Sequence, residues 1–218
     1  MATSYLSIVN DVLARLRESQ VVLVAQNTYS TLIGRLVNDA KREVEDAWDW
    51  DALRTTVSAT TEADTYSYSL TGAGDRIRIL NVFDDTNNQL LEFRPRQYFI
   101  EHIDLIDTPA TGKPLYYTIS GVDASGDLKI DLFPIPDGAF SIKLDVVKPE
   151  PELSADTDTT VLPKAPLVAL AWAKAIEERG EDGGVTVSSQ YGVAKQALGD
   201  AIGIEAGRRF EDTVWYTR

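Results

Sequence analysis

Asp127-Leu128-Lys129-Ile130-Asp131-Leu132-Phe133-Pro134-Ile135-Pro136-Asp137-Gly138 is followed closely by Phe140-Ser141-Ile142-Lys143-Leu144-Asp145-Val146. Leu128, Ile130 and Leu132 alternate with Lys129 and Asp131, and Phe140, Ile142, Leu144 and Val146 alternate in the same way. A period of two puts successive side chains on opposite faces of a strand, so each run reads as a strand with one buried face. Pro134-Ile135-Pro136-Asp137-Gly138 between them has the residues of a hairpin turn. Upstream, Leu115, Tyr117 and Ile119 form the inward face of a third strand, joined to the next by the turn Gly121 to Gly126. Earlier still, Thr65 to Leu70 alternates, and Arg76-Ile77-Arg78-Ile79 alternates until Leu80 breaks the phase, which predicts a bulge or bend. Asp84 to Asn88 is turn chemistry leading to Leu91 and Phe93, and Arg96 to Ile106 places Phe99, Ile103 and Ile106 at helical spacing. The segment 55–150 therefore reads as a mostly antiparallel β domain, with one polar face left for water or a neighbouring subunit.

On both sides of this block the period is that of a helix. From Ser4, a plausible N-cap, to about Ser19, the residues Tyr5, Ile8, Val9, Val12, Leu13 and Leu16 share one face. After the apolar link Val21 to Val24, a second helix opens near Asn27 or Thr28. Its stripe is Leu32, Ile33, Leu36, Val37, Ala40, Val44, Ala47 and Trp48, and its outer face Arg35, Asp39, Lys41, Arg42, Glu45 and Asp46. Beyond the polar segment Glu150 to Thr160, Pro163 and Pro166 lead into a third helix, Leu167 to Arg179, that stops at Gly180. A fourth, Ser189 to Ala206, carries Tyr191, Ala194, Leu198, Ala201 and Ile202, with Ala197, Gly199 and Gly203 small enough to let another helix come close. The fold class expected is α+β: a helical bundle from the N- and C-terminal helices with an inserted antiparallel β domain. The corresponding boundaries are 1–54 for the first helices, 55–150 for the β domain, 151–207 for the linker and last helices, and 208–218 for a C-terminal arm.

Composition narrows the function. The 218 residues carry 34 acidic and 21 basic side chains, a formal net charge of -13, and 44% are hydrophobic. Phosphate-backbone binding requires clustered cations, so this balance argues against an affinity-driven nucleic-acid binder. Zero cysteines remove disulfides, thiolate metal sites and cysteine nucleophiles. Neither a signal peptide nor a membrane-spanning run is expected, which places synthesis in the cytoplasm and membranes outside the set of partners.

Residues that could carry chemistry read as packing and turns. His102 is the only histidine, so any Ser-His-Asp arrangement would need it, yet no serine stands in a nucleophile elbow. Asp123-Ala124-Ser125-Gly126-Asp127 lacks the twelfth-position glutamate of a calcium loop and reads as a turn. Asp46, Asp49 and Asp51 around Trp48 and Trp50 could be imagined as an acid pair with sugar-stacking rings, but solvated acids beside a core tryptophan explain them as well. Gly72-Ala73-Gly74-Asp75 precedes a strand, so a phosphate loop is not supported. No catalytic, cofactor or metal residue is expected. At the C-terminus, Arg208, Arg209, Phe210, Val214, Trp215 and Tyr216 combine arginines with aromatics, the residue types that anchor interfaces.

The run Asp127 to Gly138, the strand Phe140 to Val147, the segment Glu150 to Pro163 opening into an alanine-rich helix, and Val44-Glu45-Asp46-Ala47-Trp48-Asp49-Trp50 closing a long helix together resemble the head-to-tail adaptor proteins of tailed bacteriophages. The chain is similar in this to tail tubular protein A of short-tailed phages. The resemblance implies a structural virion protein, not an enzyme and without cofactor. It implies a twelve-fold homo-oligomeric ring beneath the portal protein at the head–tail junction. The helical part would meet the portal and the β domain face outward, above a tail nozzle or next tail component. Double-stranded DNA would pass through the bore without tight binding. Arg208, Arg209, Phe210, Val214, Trp215 and Tyr216 become a portal-binding arm. Two other readings stay open at this level: a tail-associated cell-wall hydrolase using Asp or Glu, and a carbohydrate-binding β module stacking sugars on Tyr66, Tyr68, Tyr116 and Tyr117.

Overall fold

The computed structural model describes residues 2–180 and 185–208, with Val185 and Thr186 described by backbone alone. In chain order the elements are β1 (Thr3–Ser4), α1 (Tyr5–Arg15), α2 (Thr28–Ala47), β2 (Arg54–Thr60), β3 (Ser67–Ser69), β4 (Arg78–Asp84), β5 (Gln89–Leu90) and β6 (Glu92–Phe93). Then come α3 (Arg96–Phe99), β7 (Tyr116–Val122), β8 (Leu128–Phe133), β9 (Ser141–Val147), β10 (Thr159–Thr160), α4 (Lys164–Arg179) and α5 (Val185–Ala206). The protein is thus mixed α+β. It divides into two compact units, one made of Met1–Ala52 with Glu150–Arg218 and the other of Leu53–Pro149.

In the helical unit, local chemistry sets the helix ends. The Ser4 side chain caps α1 by accepting from the Ser7 amide, and Asn27 caps α2 in a reciprocal box with Ser30. α1 stops at Arg15, short of the expected Ser19, because Arg17 adopts a left-handed conformation (φ 59°). Gly180, at φ 64°, ends α4 where expected. Pro166 lies inside the first turn of α4 instead of before the helix, where the missing N–H costs nothing because first-turn amides have no intrahelical acceptor. Ile8, Val9, Val12, Ile33, Val37, Ala40, Val44, Leu167, Ala171 and Ala173 are all buried. At Gly34 a Cβ would lie 2.3 Å from the Tyr5 hydroxyl, so α1 and α2 approach as closely as they do only because that position is glycine.

The buried face of α2 departs from expectation in three ways. Lys41 and Glu45, assigned to the outer face, are each only 3% exposed. Ala47 is exposed and Trp48 only half-buried, while Trp50 is the buried tryptophan, donating its indole N–H to the Val44 carbonyl at 2.7 Å. The helix ends at Ala47, so Trp48 is extended and the ring that closes the stripe comes from beyond the helix. A further addition is the antiparallel pair of β1 with β10.

The β unit holds two four-stranded sheets, ordered β2-β9-β4-β5 and β3-β8-β7-β6. Ladders are antiparallel except β6 with β7, which run parallel. One core fills the space between the sheets: Val82, Ile142, Leu144 and Val146 from the first meet Leu70, Tyr117, Leu128, Ile130 and Leu132 from the second. The phase break at Leu80 is a register shift between Ile79 and Asn81. A second shift, between Ile119 and Gly121, is not foretold by the alternation, and Ile119, the last residue before it, is 44% exposed. On the outer side of the second sheet Phe99, Ile103 and Phe133 form a smaller core with Tyr66, Tyr98, Tyr116 and Ile135. α3 continues into a π-type turn over Ile100–Asp104, and the change of pitch turns Ile106 outward.

Candidate functional site

The glycine loop, the acidic turn, His102, the four tyrosines and Asp51 are engaged in the fold. The Gly72 and Gly74 amides, the donors a phosphate loop would need, donate to the two oxygens of the Asp127 carboxylate at 2.9 and 2.8 Å. The other acid of that loop, Asp123, accepts from the Ser125 and Asp127 amides, and these backbone bonds hold its carboxyl below the ordinary carboxylate value. His102 stacks on Tyr98 with ring centroids 4.0 Å apart, and its Nδ1 lies 2.9 Å from the Tyr98 carbonyl. The four tyrosines of the sugar-binding reading split between two cores: Tyr66 and Tyr116 pack in the outer one, Tyr68 and Tyr117 between the sheets. Tyr66 and Tyr68 part company because β3 begins only at Ser67, leaving Tyr66 outside the alternation. Asp51 offers its amide to the Glu205 carboxylate on α5.

The polar segment after the β unit, expected as a linker, is sewn onto α2 and α1. Lys41 Nζ donates to Glu45 Oε1 at 2.6 Å and to the carbonyls of Glu150 and Pro151 at 3.0 and 3.1 Å. Glu45 in turn accepts from the Glu150 amide. Asn38 closes a two-bond ring with the Leu153 backbone, at 2.9 and 3.0 Å. Asp156 accepts from the Val24 amide, and the Asp158 carbonyl from the Tyr5 amide, both at 2.8 Å. A buried charge pair is retained only when its remaining donors and acceptors are satisfied, which the backbone of this strap does. The signal was present: Val37, Lys41 and Val44 stand at i, i+4 and i+7, so Lys41 belongs to the apolar stripe itself.

α5 differs from the other long helices. Among its described side chains Ala194 is buried, Tyr191 and Leu198 are half-buried, and Val193 and Ile204 are exposed. Burial and a hydrogen bond to Glu177 raise the Tyr191 hydroxyl above its ordinary value. A Cβ at Gly192, Gly199 or Gly203 would meet nothing within 4 Å. The close helical approach expected at Gly199 and Gly203 is therefore absent among the described residues, and α4 meets α5 on another side. Of the proposed arm, Arg208 is described: it is exposed, and its amide donates to the Glu205 carbonyl at 3.0 Å. Arg209, Phe210, Val214, Trp215 and Tyr216 lie outside the described residues.

Among the described residues no group of three or more His, Cys, Asp or Glu side chains could hold a metal ion, and no helix is long and apolar enough to cross a membrane. The class defined is a mixed α+β protein whose polar side chains fasten turns, caps and a strap. A family model described as SU10 adaptor protein matches residues 3–216, and the chain belongs to that family. Membership makes it a structural adaptor protein of a bacteriophage virion, related by role to portal and tail components. No curated protein matches the chain.

Proposed function

We propose that this protein is a head-to-tail adaptor that forms a ring below the portal, continues the DNA channel and presents the docking platform for the nozzle or next tail component. The match to the adaptor family over residues 3–216 carries this reading. In it the chain works like tail tubular protein A and is made in the bacterial host cytoplasm, and twelve copies close the ring. The helices of 1–54 and 151–207 form the bundle that meets the portal, 55–150 is the outward β domain, and 208–218 is the arm that grips the portal. Arg208, Arg209, Phe210, Val214, Trp215 and Tyr216 are its anchors.

The net charge of -13 supports the conduit role. Acidic walls repel the phosphate backbone and keep DNA mobile, where a basic lining would bind it. Light scattering of the purified protein, alone and with the portal protein of the same genome, tests the proposal. A complex of defined mass, weakened by deleting Phe210 to Arg218, is expected. A protein that stays a single chain under every assembly condition overturns it.

A further inference from the structure

Four strands end the two sheets. β3, β5 and β6 are two or three residues long, whereas β2 runs for seven, Arg54–Thr60. Proteins avoid edge-to-edge pairing with short edges, proline, lysine or bulges. β2 has none of these. Its register against β9 is unbroken from Arg54↔Val147 to Thr60↔Ser141, and its one charge, Arg54, is paired with Asp145.

The free backbone groups can be assigned. The Leu53 carbonyl accepts from the Lys148 amide, and the Thr61 amide donates to the Phe140 carbonyl. Bonded pairs alternate along an antiparallel ladder, so Thr55, Val57 and Ala59 face β9 and Thr56, Ser58 and Thr60 turn their N–H and C=O groups to the open edge. These three residues are exposed, and among the described residues those groups have no other hydrogen-bond partner.

The opposite end of the same sheet is β5. The Leu91 amide donates to the Val82 carbonyl, which by the same alternation turns the backbone of Leu90 outward, and its side chain is 70% exposed. Thr86 to Leu91 carries no charge, and neither does Thr55 to Thr61. Two copies that each carry -13 repel one another, so a contact between them is favoured where both surfaces are neutral. β2 and β4 both run antiparallel to β9, and β5 antiparallel to β4. A neighbour in the same orientation therefore sets its β5 antiparallel to β2 and continues the alternation.

We propose that β2 is the edge on which a second copy of this chain pairs through its β5, joining the sheets of neighbouring copies into one antiparallel sheet. The contact uses two different surfaces and leaves one of each free, so it repeats and closes into a ring where the rotation allows. This rests on the ring reading and names its subunit contact. A ladder this short is weak alone, and ring closure makes the last contact intramolecular and far stronger.

The chain has no cysteine, so cross-linking is clean. Thr56→Cys, Ser58→Cys and Thr60→Cys are each combined with Leu90→Cys, since a bonded pair sets Cα atoms about 5.5 Å apart, within disulfide reach. One combination is expected to give a non-reducing gel ladder running past the dimer. Ser58→Pro removes an outward donor while sparing the β9 ladder, and should cut assembly about 10-fold with a near-unchanged unfolding midpoint. If Ser58→Pro unfolds, Ser58→Lys replaces it. A dimer from Ser58→Cys alone means β2 pairs with itself and overturns the proposal. Wild-type protein that assembles by light scattering, while all three combinations stay unlinked and Ser58→Pro assembles normally, overturns it and leaves the ring standing. Wild-type protein that never assembles overturns both.

Discussion

α2 and α5 are both long helices of the same unit, and they use their residues in opposite ways. The features that seat α2 have partners inside the chain: its cap, the buried part of its apolar stripe, the Lys41–Glu45 pair, and Gly34 against Tyr5. α5 carries three glycines in open space and exposes Val193 and Ile204. Glycine in a helix interior costs about 1 kcal/mol relative to alanine, and at Gly34 the close approach offsets that cost, whereas at Gly192, Gly199 and Gly203 nothing in the described chain does. A glycine's meaning is thus set by what surrounds its missing Cβ and not by its place in a helix.

Substitutions sharpen or break this contrast. The largest effect is expected at the buried pair. Lys41→Met strands the Glu45 carboxylate and should cost about 3–5 kcal/mol in denaturant unfolding, with Lys41→Met/Glu45→Leu recovering part of the loss. An unchanged midpoint would mean that the strap is held by other bonds. Gly34→Ala forces a methyl against the Tyr5 hydroxyl and the Val24 side chain, and should cost about 1–3 kcal/mol. Gly199→Ala should act in the opposite direction, raising stability by about 1 kcal/mol in thermal unfolding of the single chain. If both alanines shift stability the same way, the contrast fails.

The smallest effect lies in the β unit. The Arg54 hydrogen bond, then that of Asn81, holds the Asp145 carboxyl below its ordinary value of 3.8, against the opposing effect of burial. A depressed carboxylate stabilises the fold above its unfolded value and loses that contribution as the pH falls through its folded value. Arg54→Ala should therefore lower stability by under about 1 kcal/mol at pH 7, and the difference from wild type should shrink at acid pH, as Asp145 becomes protonated in the folded state as well. A difference that persists at that pH would trace to packing of the arginine stem instead.

Strong period and turn chemistry made much of the fold readable. Ser4, Asn27 and Gly180 end helices as their residue types dictate, the alternations at Leu128 and Ile142 are strands, and the phase slip at Leu80 is a bulge. Features that depend on distant neighbours were hidden. Division of the strands into two sheets, the parallel β6–β7 ladder and the shift at Ile119 follow from pairing choices that alternation alone does not encode. By charge alone Lys41 reads as an outer-face residue, whereas its position in the stripe, four residues after Val37, is what buries it. Of the candidate arm, Arg208 alone falls within the described residues; what the glycine loop and Asp127 do became plain only when a carboxylate from a distant turn met those amides.

The fastening of Glu150 to α2 also bears on the order of folding. Trp50 bonds back to Val44 just before the chain leaves the helical unit, and Glu150 and Pro151 bond to Lys41 just after it returns. Exit and re-entry are thus held within one turn of the same helix, and closing them joins the ends of a loop of roughly a hundred residues, an entropic cost that rises only slowly with length. A β unit that folds first brings those ends together in advance. During synthesis Lys41 leaves the ribosome roughly a hundred residues before Glu150 and Pro151, so its ties to their carbonyls can form only once the whole β unit has been made.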